Sequence, residues 1–275
     1  MRTYRAASLF VYEWGREEDP AVLYWDGLGG TGLHANEIGP LLVEQFGLRV
    51  MAPDAPGHGR SAARDPDAFR PSRLAAAAAE LLTELGVERA AFVGFSWGGR
   101  VACWFAAQYR GRTSALALVE GGHHGSRAPT GLEAAIAKAQ VEREEDTFSG
   151  WDAFFAFEAE SLRRWTPALE EAHRAVMREE GGRVAPIATA EVVGAINQGS
   201  RLEPLAYAYP SIATAGLPVL LLVAEASETD AVERFRAALP DAQVEGGVPD
   251  GIHDLVSFAP ERVASTVGRF LAEQR

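Results

Sequence analysis

Short, uniformly apolar runs recur along the chain and alternate with longer segments of helical pattern. The runs cover residues 21–25, 48–52, 90–93, 115–119 and 218–223. Because a run without polar alternation is typical of a strand buried on both faces, these segments predict the inner strands of a parallel sheet. Helices are predicted between them, one from an Asn36 N-cap to Phe46 and one from Pro71 to Gly86. The alternation indicates an α/β fold with a doubly wound, mostly parallel sheet.

The alternation of apolar runs and helical segments is less regular before residue 21 and after residue 223. Weak alternation over residues 7–11, before Gly15, predicts a leading strand or hairpin. A weaker strand is predicted over 243–248, followed by a last helix that starts near Pro260 and ends at Leu271.

The stretch from about residue 123 to 210 shows no convincing strand pattern and predicts amphipathic helices. Trp151 begins one helix, and Thr166 and Thr189 are the expected N-caps of two others. We interpret this stretch as a helical cap inserted into an α/β core. The alternative is that it is only packing surface. The predicted domains are a core of residues 1–122 and 211–275 and a cap of residues 123–210.

Composition limits the classes of partner. The chain has 275 residues, of which 47% are hydrophobic and 23% charged, and its formal net charge is -12. Such a chain has no basic surplus to neutralise phosphates, which disfavours nucleic acid and anionic membranes as partners. Its single cysteine, Cys103, excludes an internal disulfide, and no apolar stretch has the length of a signal peptide or a membrane span. A cytoplasmic protein is expected.

A serine stands between two glycines directly after the run 90–93. The spacing Gly94-x-Ser96-x-Gly98 is the pattern of a nucleophile elbow, a strained strand-to-helix turn that projects the serine above the sheet. The alternative is a turn with these residue types and no catalytic role, because so short a pattern recurs by chance.

A serine nucleophile needs a base, and six histidines are candidates. His253 is the best placed, because it lies in a glycine-containing loop between the last predicted strand and the last helix. In a doubly wound sheet that loop falls at the carboxyl edge, the same edge as the elbow. His58 lies in a Pro-Gly-x-Gly turn, where a structural hydrogen-bonding role is expected. The remaining candidates are His34, His123, His124 and His173.

Four motifs in this order are similar to those of the α/β-hydrolase fold superfamily, over essentially the whole chain. They are Asp26-Gly27-Leu28-Gly29-Gly30, Asp54-x-Pro56-Gly57-His58-Gly59-x-Ser61, Gly94-x-Ser96-x-Gly98-Gly99 and Gly251-x-His253. The resemblance implies Ser96 as nucleophile and His253 as general base. It also implies an oxyanion hole formed by the backbone N–H groups of Leu28 and Trp97. The family's usual residue before Gly27 is His, and Asp26 in its place alters the charge behind the hole.

The carboxylate that would orient His253 has more than one candidate. The family most often places an Asp after the strand 219–223, but here Ser227 stands at the corresponding position, before Glu228 and Asp230. Some members take the acid from the end of the strand that follows the elbow helix, which is Glu120 in this chain. Because a carboxylate that ends a buried apolar strand is costly unless it is hydrogen-bonded, Glu120 is the preferred acid. Glu228 and Asp230 remain the alternative acids. The interpretation without a catalytic role for this pair is a solvated helix start, where acidic residues are common.

The resemblance implies a serine hydrolase that acts on a carboxylic ester, a lactone or a related small acyl compound. Aromatic residues of the predicted cap suggest an apolar portion of the substrate: Trp151, Phe154 and Phe155. Alternatives within the fold are a carbon–carbon bond hydrolase and a proline-iminopeptidase-like aminopeptidase, to which the run Ser96-Trp97-Gly98-Gly99 is similar. A non-catalytic, ligand-binding member is the alternative of another class.

No metal or cofactor is expected from the sequence. The spacing of His, Asp and Glu does not resemble a zinc or di-metal signature. The glycines of 27–32 do not follow the Gly-x-Gly-x-x-Gly spacing of a dinucleotide site.

Overall fold

The computed structural model describes residues 1–62, 65–126, 129–225, 229–248 and 251–275. Within these residues, eight strands form one sheet in the order β1-β2-β4-β3-β5-β6-β9-β10, and two strands form a separate hairpin. From β4 to β10 neighbouring strands of the sheet are parallel, whereas β1 and β2 are antiparallel to their neighbours, which confirms the predicted mostly parallel sheet. The strands are β1 (Arg2–Ala6), β2 (Leu9–Trp14), β3 (Ala21–Trp25), β4 (Arg49–Pro53), β5 (Ala90–Phe95), β6 (Thr113–Val119), β7 (Met177–Glu180), β8 (Arg183–Pro186), β9 (Val219–Ala224) and β10 (Gln243–Val248).

Helices separate the strands of the sheet and fill the stretch between β6 and β9. They are α1 (Ile38–Phe46), α2 (Pro71–Glu84), α3 (Trp97–Gln108), α4 (Leu132–Glu145), α5 (Trp151–Leu162), α6 (Pro167–Arg174), α7 (Ala190–Leu202), α8 (Tyr209–Ala215), α9 (Thr229–Ala238), α10 (Leu255–Phe258) and α11 (Pro260–Ala272). Short 3-10 turns cover Gly32–Asn36, Pro66–Phe69, Arg110–Arg112 and Leu205–Tyr207.

The inner strands are buried on both faces, as their uniform apolar pattern predicts. Successive residues of a strand point to opposite faces, so each strand supplies two cores. On β3, Leu23 and Trp25 pack in one cluster with α2 and α3, while Val22 and Tyr24 pack in another with α1 and α11. The carboxyl ends of β3, β5, β6 and β9 therefore meet at one edge of a rigid sheet.

Two local expectations near the N-terminus have different outcomes. The predicted leading hairpin is present, with β1 and β2 joined through Ala7 and Ser8, both at positive φ. The prediction of Asn36 as N-cap of the first helix is wrong. Asn36 ends a 3-10 turn, α1 starts at Ile38, and the Asn36 side chain donates instead to Glu171.

The expectation that 123–210 contains no strand is also wrong, because β7 and β8 pair there as an antiparallel hairpin. Its two-residue loop is Gly181-Gly182, with φ of 57° and 78°. Two positive φ values suit the tight turn that the twist of a hairpin favours, and glycine takes them without steric cost. The predicted caps are confirmed, since the Thr166 and Thr189 hydroxyls accept from the third residue of α6 and α7, respectively.

The stretch between β6 and β9 has a small core of its own, formed by Phe154, Met177 and Val184. It also packs on the α/β body, because Val192 and Ile196 of α7 join one of the sheet's clusters. The division into a core and an inserted cap stays a prediction. Across the described residues, the helices are too short or too polar to cross a membrane.

Candidate active site

The turn at Ser96 is a strained backbone that its neighbouring glycines permit. Ser96 has φ 50° and ψ -117°, values that an L residue seldom adopts, and it links β5 directly to α3. A Cβ added at Gly94 would lie 2.6 Å from Gly98 O, and one added at Gly98 would lie 2.0 Å from Trp25 O. The helix thus packs directly on the strands, which is the local structure that the predicted elbow requires.

Three side chains form a hydrogen-bonded chain at this edge. Ser96 Oγ lies 2.7 Å from His253 Nε2, and His253 Nδ1 lies 3.1 Å from Glu120 Oε2. The loop between β10 and α10 carries His253, and Glu120 is the residue after β6. The structure thus brings together the predicted nucleophile, base and preferred acid, which come from three separate strand ends. This arrangement lets the imidazole take a proton from Ser96 while a carboxylate orients its other nitrogen.

Glu120 is held rigidly from several sides. The residue is 3% exposed, its second carboxylate oxygen accepts from Ala224 N, and its own N–H donates to Leu222 O at 2.8 Å. Its φ is 46°, so the backbone is strained here as it is at Ser96. Of the alternative acids, Asp230 is exposed on the first turn of α9, and Glu228 lies outside the described residues.

The two expected oxyanion donors lie on loops next to Ser96. Trp97 is the first residue of α3, so its N–H has no acceptor inside the helix. Leu28 follows β3, and the next amide, Gly29 N, donates to His58 Nε2 at 3.1 Å. His58 Nδ1 donates in turn to Pro56 O, and its ring stacks on Trp97 at 5.6 Å. Burial lowers the pKa of His58, which suits the neutral tautomer that these contacts need. The predicted structural role of His58 therefore fits the geometry.

A second polar cluster lies behind the Gly27–Leu28 turn. Asp26 Oδ1 lies 2.7 Å from His34 Nδ1 and accepts from Tyr24 OH at 2.9 Å. The other nitrogen, His34 Nε2, lies 2.6 Å from Ser257 Oγ and 3.3 Å from Asp254 Oδ1. Burial tends to lower the pKa of His34, but the carboxylates of Asp26 and Asp254 outweigh it and hold that pKa well above its ordinary value. The two carboxylates thus favour the protonated form of His34.

A cavity of about 690 Å³ opens over Ser96 and His253. Phe154 of the predicted aromatic set lines it, whereas Trp151 and Phe155 stack on each other at 5.6 Å and lie outside its lining. Other apolar lining comes from Phe148, Phe157, Val176 and Met177. The lining also includes four carboxylates from α4, α5 and the turn after α4, here called the acidic wall: Glu142, Glu145, Asp146 and Glu158.

The acidic wall affects the pKa of one of its own members. Partial desolvation and the neighbouring Glu142, Glu145 and Glu158 raise the pKa of Asp146. The one arginine in the lining, Arg143, already pairs with Glu180 at 2.9 Å.

One further group of polar atoms converges near the base. Glu120, His124 and His253 each bring a potential metal-ligand atom to within 4.8 Å of the others. Because Glu120 and His253 hydrogen-bond each other and His253 bonds Ser96, an ion here would compete with that hydrogen-bonded chain. The spacing of these residues in the sequence does not indicate their convergence.

Sequence reasoning missed the acidic wall and the contacts of His34. The acidic wall lies on α4, α5 and the turn after α4, where charge at helical spacing is also typical of a solvated face. His34 offered a weak signal, since a histidine shortly after an unusual buried Asp26 is a natural counter-charge.

Comparisons with known proteins show the family and the fold of the chain. A family model described as alpha/beta hydrolase fold matches residues 20–244. A 2-hydroxy-6-oxo-6-phenylhexa-2,4-dienoate hydrolase of Burkholderia cepacia is 37% identical over 100 residues, a stretch that spans 36% of this chain and 34% of that protein.

Two solved structures match over nearly the whole chain. E-2-(acetamidomethylene)succinate hydrolase superposes with a TM-score of 0.79 at 21% identity and covers 98% of each chain. A thermophilic esterase from Thermogutta terrifontis superposes with a TM-score of 0.73 at 21% identity, over 100% of this chain and 99% of that one. At these identities the likeness concerns the fold.

Proposed function

Because the chain belongs to the alpha/beta hydrolase fold family, we propose that it is a serine hydrolase that cleaves a carboxylic ester, a lactone or a related small acyl compound. The observation that supports this most directly is the hydrogen-bonded chain from Ser96 through His253 to Glu120. A serine in contact with a base, and a base in contact with a buried carboxylate, together make an activated nucleophile.

The mechanism that we propose proceeds through an acyl-enzyme. Ser96 Oγ attacks the carbonyl carbon while its proton moves to His253 Nε2, and Glu120 stabilises the imidazolium that forms. The N–H groups of Leu28 and Trp97 donate to the oxyanion. The tetrahedral intermediate then collapses, the bond to the leaving oxygen breaks, and His253 gives its proton to the alcohol. Water, activated by His253, attacks the acyl-enzyme and releases the acid and Ser96.

The lining of the cavity supports a neutral or cationic substrate over an anionic one. The acidic wall lines the cavity, and Arg143 in the same lining pairs with Glu180 outside the wall. Two wall carboxylates have partners of their own, Glu142 in Lys138 and Glu158 in His173, so the wall is only partly compensated. A carboxylate on the substrate would approach like charge in a partly desolvated space, which is unfavourable. The apolar lining from Phe148, Phe154 and Phe157 suits an aromatic or aliphatic acyl or alcohol portion.

Carbon–carbon bond hydrolysis is the second candidate, and the dienoate hydrolase of Burkholderia cepacia favours it by sequence. Its named substrate is a carboxylate. The acidic wall of this chain would repel a substrate that carries a carboxylate, so it counts against this second candidate.

An activity probe tests the proposal. A fluorophosphonate should label folded wild-type protein and fail to label the Ser96→Ala variant. Absence of label on folded wild-type protein would refute the serine-hydrolase proposal and leave a ligand-binding role. Panels of p-nitrophenyl esters, amino-acid p-nitroanilides and 2-hydroxy-6-oxo-dienoates then distinguish esterase, aminopeptidase and carbon–carbon hydrolase activity by kcat/KM.

A further inference from the structure

His34 lies between two loops of the candidate site and contacts both. Its Nδ1 lies 2.7 Å from Asp26, the residue before the Gly27–Leu28 turn. Its Nε2 lies 2.6 Å from Ser257 Oγ and 3.3 Å from Asp254, the residue after His253. One imidazole therefore links the loop of an expected oxyanion donor to the loop of the expected base.

His34 has no nitrogen left for a substrate. Both ring nitrogens are occupied by protein partners, and the side chain is 12% exposed although it lines the cavity. Its ring contacts Phe95 edge-on at 5.4 Å, and Phe95 in turn lies 5.6 Å from the ring of His253. Any effect of His34 on chemistry must therefore act through the groups that it holds.

The charge of His34 matters because of where Asp26 lies. Asp26 is 4% exposed, and its Oδ2 atom has no hydrogen-bond partner within the described chain. A bare carboxylate directly behind Leu28 would oppose negative charge that develops on the carbonyl oxygen. A protonated His34 neutralises it, and it supplies N–H donors to both loops at once.

The groups that His34 Nε2 contacts, Asp254 and Ser257, are also held in place. Asp254 Oδ1 accepts from Ser257 N at 3.0 Å and so caps α10. Ser257 O accepts from Arg164 at 2.5 Å, and Arg164 in turn pairs with Glu37. The partner groups of His34 Nε2 are thus anchored to helix α10, which follows His253 directly. A hydrogen bond to them restrains the position of the base.

We propose that His34 is a positioning residue that ties the 26–30 loop to the 251–257 segment, which comprises the His253 loop and the start of α10, and so holds the oxyanion donor and His253 in place next to Ser96. The expected effect of His34 on catalysis rests on the proposed function. The contact of His34 with both segments does not depend on that function.

Two substitutions each remove one end of the tie. The amide nitrogen of Asn stands near the place of Nδ1, so His34→Asn keeps the Asp26 contact and loses the Ser257 contact. His34→Gln places its amide near Nε2 and does the reverse. Because both ends are needed, each variant should lower kcat about 10- to 100-fold, the loss expected when a catalytic group is displaced by about 1 Å, while KM changes less than about threefold.

Ser257→Ala gives a milder test without a change of charge. It removes the hydroxyl that His34 Nε2 contacts, and it should fold even if a charge change at position 34 is not tolerated. The matched control is Asn36→Ala, on the same 3-10 turn, whose side chain points to Glu171 instead. The control should leave kcat unchanged.

Amide hydrogen exchange measures the tie without reference to catalysis. In each His34 variant and in Ser257→Ala, peptides that cover 26–34 and 251–257 should exchange faster together, whereas Asn36→Ala should leave 251–257 unchanged. Unchanged exchange in 251–257, or fluorophosphonate labelling and kcat at wild-type rates in the variants, would overturn the inference. Wild-type protein that is neither labelled nor active would refute the proposed function, and the exchange data would still decide whether His34 joins the loops.

Discussion

Replacement of Glu120 by Gln should abolish most activity without unfolding the protein, because the two residues differ in acceptors. Glu120 uses both carboxylate oxygens, one for Ala224 N–H and one for His253 Nδ1. Gln has a single acceptor oxygen and an NH₂ group, so it cannot satisfy both donors. In the variant, the NH₂ group must therefore face either Ala224 N–H or His253 Nδ1.

The energetics favour one arrangement. If the NH₂ group faced Ala224 N–H, a buried backbone donor would lose its acceptor, at a cost of about 1–3 kcal/mol. If it faces His253 instead, the imidazole takes the other tautomer, Nδ1 accepts, and no buried group is left unpaired. In that tautomer Nε2 carries a proton and cannot accept one from Ser96. The expected loss is about 10⁴-fold in kcat, or about 5 kcal/mol of transition-state stabilisation.

The assay is p-nitrophenyl ester hydrolysis together with chemical denaturation. Glu120→Gln should lose about 10⁴-fold in kcat while its free energy of unfolding changes by less than about 1 kcal/mol. Asp230→Asn is the matched control, and its kcat should stay within about twofold of wild type, because the carboxylate is exposed on α9. A loss below about tenfold in Glu120→Gln, or a large loss in Asp230→Asn, would refute this assignment of the acid.

Three further outcomes are expected. Gly98→Ala should remove activity and lower the free energy of unfolding by about 1–3 kcal/mol in denaturation experiments, since its Cβ would lie 2.0 Å from Trp25 O, whereas Gly111→Ala, with open space around it, should change little. The neutral ester p-nitrophenyl butyrate should be cleaved with a higher kcat/KM than the anionic p-nitrophenyl hemisuccinate. Added salt should reduce this difference in kcat/KM, because it screens the acidic wall. Faster cleavage of the anionic ester would contradict the role given to the acidic wall. The folded-state pKa of His34 is raised, so its contribution to stability is complete below about pH 6.5 and is lost as pH rises through that pKa. The pKa of Asp254, which burial alone would raise, is held below its usual range by His34, so its contribution is present above about pH 4 and lost as pH falls. The difference in unfolding free energy between wild type and His34→Asn should therefore be greatest between about pH 4 and 6.5, and a difference that is flat with pH would show that His34 is not charged in the fold.

Much of the sheet could be predicted because its determinants are local. Uniform apolar runs such as 115–119 indicate buried strands without any knowledge of their neighbours. Glu120 came from the family resemblance, which implies an acid at this strand end in some members, and from the cost of burying a carboxylate that has no partner. The structure supplies those partners in Ala224 and His253.

The parts that escaped prediction depend on long-range contacts or on weak local signals. The contact of His34 with Ser257 joins residues 223 positions apart, and one sequence carries no information on that pairing. The hairpin of β7 and β8 has two four-residue strands, which are too short to show the alternating pattern that indicates a half-buried strand. The local signal for the hairpin is its turn, because a Gly-Gly pair such as Gly181-Gly182 is typical of two-residue hairpin loops.

The distribution of backbone strain favours a reactive site over a passive binding pocket. Five described residues other than glycine have positive φ, and two of them, Ser96 and Glu120, stand at the two ends of the hydrogen-bonded chain. Each such conformation costs on the order of 1–3 kcal/mol, so it persists only where the surroundings enforce it. A pocket that merely holds a ligand by shape and apolar contact has no need for a strained serine 2.7 Å from an imidazole. Nucleophilic attack does need one, because the serine oxygen must be exposed above the sheet and aligned with its base before the substrate arrives.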